Sequence, residues 1–193
     1  MARCARRWSP ISTDGLNLRL CWLLACAIAA LPAHAQIFKQ DTEELLKEKD
    51  WRENAVKLPE FPQVDRLVEF YVSAATSFRF FIDPKTLMVG DDGVIRYVLV
   101  ARSASGAQNV WFEGMRCKTG ELKQYATGRN DASWAERRGA EWVAIDAKTV
   151  NRQHQALRRE YFCPQSVPIQ SAAEGIDALR RGGHPHAKHQ SRD

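Results

Sequence analysis

Glu113 and His154 are the residues whose types and surroundings point most directly to chemistry. A carboxylate and an imidazole held together supply an acid and a base near neutral pH. In the strand-like stretch that carries Glu113, alternate residues Trp111, Glu113, Met115 and Cys117 face the same way. A carboxylate among such neighbours needs a partner or an elevated pKa. His154 falls on the apolar stripe Val150, His154, Leu157, Tyr161 of a helical pattern. If the two elements lie side by side and are tied at Cys117 and Cys163, about 13 Å of strand and about 13 Å of helix bring His154 opposite Glu113. Buried pairs of this kind more often fasten a helix to a sheet than perform catalysis.

Other candidates are sparser. His184, His186 and His189 could ligate a transition metal through neutral imidazoles. They sit in a polar stretch read as a solvated tail. Trp134 and Trp142 flank Ala135–Glu141 and could add aromatic surface to a groove, although aromatics at strand ends usually edge a core. No His-Glu-x-x-His, Gly-x-Ser-x-Gly or phosphate-cradling glycine loop occurs. No cofactor is therefore expected, and the balance falls against an enzyme.

The elements that must position Glu113 and His154 are legible in outline. Residues 94–102 and 108–117 are rich in β-branched and aromatic side chains and flank Ser103–Ala107, a hairpin with a five-residue loop. That loop length pairs Leu99 with Trp111, Tyr97 with Glu113 and Ile95 with Met115. Further strands are expected over 67–73, 78–82, 122–127 and 142–145, and helices over 42–51, 152–162 and from a capping box at Ser171–Glu174 to Gly182-Gly183. Leu58-Pro59-Glu60-Phe61-Pro62 reads as an extended connector. The expected fold is α+β: a mainly antiparallel sheet of five or six strands, helices packed on one face, and one disulfide.

The N-terminal segment sets the compartment. Arg3, Arg6, Arg7 and Arg19 precede the apolar run Leu20–Leu31, and Ala33-His34-Ala35 has the small-x-small form of a cleavage site. About 20 apolar residues are needed to span a bilayer, so the run reads as a cleavable signal and not an anchor. Cleavage between Ala35 and Gln36 makes residues 1–35 a signal peptide, 36–183 a single α+β domain and 184–193 a disordered histidine-containing tail. No membrane span is then expected. The leader holds four Arg and one Asp, so its loss lowers the formal charge from +5 to +2 and removes any electrostatic reason to expect nucleic acid. Cys117 and Cys163 are the two cysteines left, and an oxidising periplasm favours their pairing.

Trp51, Leu58-Pro59-x-Phe61-Pro62, Phe70-Tyr71-Val72-Ser73, Phe112-Glu113-Gly114-x-Arg116-Cys117 and Asn151-Arg152-x-His154 through Tyr161-Phe162-Cys163-Pro164 occur in one order along the chain. In these pieces, from Trp51 to Arg181, the chain resembles the CNP-one-like family of exported beta-proteobacterial proteins. The resemblance implies a Gram-negative envelope location. It implies no activity and carries over no catalytic residue. The sequence thus points to a periplasmic binding or assembly module with an unidentified envelope ligand or protein partner. The alternative is an envelope hydrolase using Glu113 and His154 as its acid–base pair.

Overall fold

The chain divides into units of residues 1–51 and 52–193. The computed structural model describes residues 50–145 and 152–187. The proposed signal, the helix expected over 42–51 except its last two residues, and the Val150 and Asn151 positions lie outside that range.

The sheet grows from a central hairpin. β4 (Val94–Arg102) and β5 (Gln108–Arg116) are each nine residues long, and their alternating β-branched and aromatic side chains suit a pleated surface packed on both sides. Ser103–Ala107 joins them, closed by a hydrogen bond from the Ser103 N–H to the Ala107 carbonyl at 2.9 Å. Gly106, at φ 87°, supplies the left-handed residue of this loop. The register is the expected one, with Leu99 opposite Trp111, Tyr97 opposite Glu113 and Ile95 opposite Met115.

Around the hairpin lie β1 (Val68–Phe70), β2 (Arg79–Ile82), β3 (Met88–Val89), β6 (Glu121–Gly128), β7 (Trp134–Glu136) and β8 (Val143–Ala144). All pairings are antiparallel, in the order β1-β2-β4-β5-β6-β7, with β3 against β4 and β8 against β6. The described sheet therefore has eight strands and not five or six. The additions β3 and β7 are two and three residues long, too short to show an alternation.

β4 is buried along nearly its whole length because both faces of the sheet are covered. On one side Ile95, Tyr97, Leu99 and Ala101 join a core with Ala156, Leu157, Tyr161 and Phe162. On the other, Val98, Val100 and Phe112 are covered by Leu58 and Phe61 of the extended connector, together with Val56, Leu67 and Trp134. Pro59 anchors that connector by accepting a hydrogen bond from Trp134 Nε1 at 2.9 Å.

The helical part also differs from expectation. α1 (Arg152–Ala156) is a single α-helical stretch of five residues that passes into π-helix over Leu157–Phe162. The Cys163 N–H reaches the Arg158 carbonyl, five residues back, at 3.0 Å, and the widened turn buries Leu157, Tyr161 and Phe162 together. α2 (Ala172–Arg181) starts at Ser171, whose hydroxyl accepts the Glu174 N–H, and stops at Gly182 with φ 75°. The return arm of the expected capping box is displaced: Glu174 accepts from the Gln170 N–H, not from Ser171. α2 contacts β1 and the π-helical turn, so it flanks the sheet's edge, and the helices do not form one layer on one face.

Gly114 is fixed by packing. A Cβ there would meet the Tyr125 ring at 2.9 Å. That ring cannot retreat, because it packs on Phe112 with centroids 5.2 Å apart and its hydroxyl donates to Glu53 at 2.7 Å. Gly114→Ala is expected to destabilise the fold by about 1–3 kcal/mol through overpacking. Urea unfolding checks this, and a change below about 0.5 kcal/mol would show that Tyr125 is free to move.

Candidate functional site

β5 and β6 fall out of regular register between Phe112 and Glu113: Phe112 faces Ala126 whereas Glu113 faces Gln124. Tyr125 is the extra residue. The bulge shifts the phase of β6, so that Tyr125 and Ala126 both join the second core while Gln124 remains on the side of Glu113. Glu113 thus stands on the helix-covered face, opposite Tyr97 and beside the strand's irregularity.

α1 delivers His154 to this carboxylate. His154 Nε2 lies 3.1 Å from Oε1 and 3.0 Å from Oε2 of Glu113. Glu113 is 2 % and His154 7 % exposed. Burial pushes the His154 pKa down, but the Glu113 charge and hydrogen bond more than offset it, so the imidazole sits above its ordinary value of 6.5. With Nε2 turned to the carboxylate, Nδ1 is directed toward the Gln153 amide, 3.5 Å away. The Tyr97 hydroxyl is buried in the same region, close to Glu113. Burial, reinforced by the Glu113 charge, pushes its pKa well above 10. Tyr97 is accordingly a neutral phenol at any physiological pH.

The tie between the two elements is the Cys117–Cys163 disulfide, with Cα atoms 5.3 Å apart. It joins the end of β5 to the end of the π-helical turn, and both cysteines are buried.

Glu113 and His154 stand on the wall of a cavity of about 460 Å³. Trp111, Leu122 and Val143 give it apolar flanks, and Gln124, Gln153, Arg137 and Glu141 add polar groups. Arg137 and Glu141 belong to the connection between β7 and β8, which motif reasoning could not single out because it has neither periodicity nor a known spacing. Trp134 and Trp142 have different neighbours. Trp134 packs on Phe61 at 5.1 Å, while Trp142 lies beneath Arg116 and Lys123 at 5.7 and 5.8 Å.

The first residues of the stretch read as a tail are packed against α2. His184 is 4 % exposed, with Nε2 2.9 Å from Glu174 Oε1, and its Nδ1 accepts the His186 N–H at 3.1 Å. The acceptor role at Nδ1 assigns the proton of neutral His184 to Nε2. Both ring nitrogens of His184 are therefore engaged, and His189 lies outside the described residues. No group of three or more His, Cys, Asp or Glu side chains suited to a metal occurs among the described residues.

Chemically, the carboxylate orients the imidazole as a base–orienter pair requires. No Ser, Thr or Cys lines the cavity, so such a pair would have to act on water. Fold and site together define an antiparallel α+β domain with a hydrogen-bonded Glu–His pair in the wall of a polar cavity.

The chain belongs to the CNP1-like family, whose profile matches residues 46–180 and spans Glu113 and His154. It is similar to the Cryptic neisserial protein 1 of Neisseria gonorrhoeae (strain ATCC 700825 / FA 1090), at 29 % identity over 146 residues covering 67 % of this chain and 71 % of that protein. No solved structure matches. Among the described residues no helix is long and apolar enough to cross a membrane.

Proposed function

We propose that the chain is exported to the periplasm after loss of residues 1–35, and that its domain binds a small polar ligand in the Glu113–His154 cavity. The observation that carries the binding reading is the Glu113–His154 pair standing in the wall of a cavity of about 460 Å³. That volume lies in the range of small-molecule sites, and apolar flanks with a few convergent polar groups are their usual lining. The signal-like leader carries the export reading, which a mature N-terminus at Gln36 in the envelope fraction would support.

Binding is tested by an NMR screen of the full mature chain against sugars, polyols and amino acids, with the Gln124 and Gln153 side-chain amides and the Trp111 indole as reporters. At least one compound class should move these signals saturably. If none does, the cavity is not a binding site.

The second reading, hydrolysis with His154 as base and Glu113 as its orienter, is favoured by the Nε2–carboxylate contact alone. It requires turnover that His154→Gln abolishes, and wild-type turnover of ester or amide probes no faster than that of this variant would remove it.

A further inference from the structure

The connection between β7 and β8 is built as a strap across the edge of β6. β7 pairs with Ala126–Gly128 and β8 with Glu121–Leu122. Between these anchors the strap, residues 137–142, touches down where the Arg137 N–H donates to the Tyr125 carbonyl at 2.8 Å. It turns at Gly139, whose φ of 67° and open surroundings suit glycine. On either side of that turn the strap presents opposite charges to the cavity, Arg137 and Glu141.

Among the described residues neither charge is spent, and the one contact of the Arg137 guanidinium is a marginal 3.5 Å approach to Gln124 Oε1, which also lines the cavity. The Glu141 carboxylate makes no hydrogen bond or ion pair among the described residues, and both side chains are exposed. The Glu113–His154 pair, by contrast, is satisfied within itself.

From this arrangement we infer that the cavity takes a small zwitterion carrying a free ammonium and a free carboxylate, as amino acids and short peptides do. This assignment rests on the cavity being a binding site. Its physical basis is selection by unpaired charge. A ligand with one charge can make a charge-assisted contact with only one of Arg137 and Glu141. A zwitterion answers both, its carboxylate to Arg137 and its ammonium to Glu141. Trp111, Leu122 and Val143 provide apolar surface for a hydrocarbon side chain.

The experiment titrates the mature chain with L-leucine, with the dipeptide alanyl-leucine, and with the N-acetylated and C-amidated forms of each. Shifts of the Gln124 and Gln153 side-chain amides are the readout. One free zwitterion should saturate these shifts, and whichever of leucine and the dipeptide binds more tightly identifies a free amino acid or a peptide end as the source. Each cap should weaken that binding at least tenfold. Arg137→Gln should remove the discrimination against the amide alone, and Glu141→Gln that against the acetyl form alone. Both residues are exposed, so neither change threatens the fold. Capped forms that bind as well as free ones would overturn the assignment. A neutral sugar that saturates the cavity while both zwitterions fail would overturn it too, yet leave the binding reading standing. Silence from every probe would defeat both.

Discussion

His154→Leu is expected to cost the fold about 3–5 kcal/mol at neutral pH, because it leaves the Glu113 carboxylate buried and alone. The double variant Glu113→Leu/His154→Leu should lie much nearer the wild type, since replacing both partners with apolar side chains removes the desolvation cost along with the attraction. In the wild type the sign is set by His154, whose folded pKa lies above 6.5. A raised folded pKa means that the stabilisation is fully present below about pH 6.5 and is lost as pH rises through the folded value. The wild-type advantage over His154→Gln should therefore decline above that pH. Urea unfolding between pH 4 and pH 9 checks all three statements. A double variant as unstable as His154→Leu would mean that the cost lies in lost packing and not in an unpaired carboxylate.

Removing the disulfide should rank next. Replacing Cys117 and Cys163 together with alanine is expected to lower stability by about 2–5 kcal/mol. The bridge closes a sequence separation of 46 residues, for which unfolded-chain entropy predicts roughly 4 kcal/mol. Because the bond joins the element bearing Glu113 to the one bearing His154, its loss should also broaden the NMR signals of that pair. Wild type unfolded with dithiothreitol should match the double variant in urea midpoint. A loss under about 1 kcal/mol would mean that core packing alone holds helix and strand together.

How far the molecule could be read from its residues follows from how local each cause is. The β4–β5 register follows from alternation and one loop length, and Leu99–Trp111, Tyr97–Glu113 and Ile95–Met115 pair as that reading requires. Cys117 and Cys163, the two cysteines outside the expected signal, told which helix meets which strand. The second face was illegible: Leu58 and Phe61 cover it from an extended connector that has no periodicity to detect. The bulge at Tyr125 is set by packing against Gly114 and Phe112, so no β-strand pattern reveals it. His184 looked like tail because its partner Glu174 lies ten residues away, across a helix end. The cavity escaped for the same reason, since its wall is assembled from β5, β6, α1 and the strap.

The central claim is that Glu113 and His154 form an ion pair in the cavity wall, and titration of the His154 ring by NMR tests it most directly. In the wild type the imidazole should titrate above 6.5. In Glu113→Gln, where burial acts without the opposing charge, it should titrate below 6.5. Identical titrations in the two proteins would contradict the pairing and the account of the site built on it.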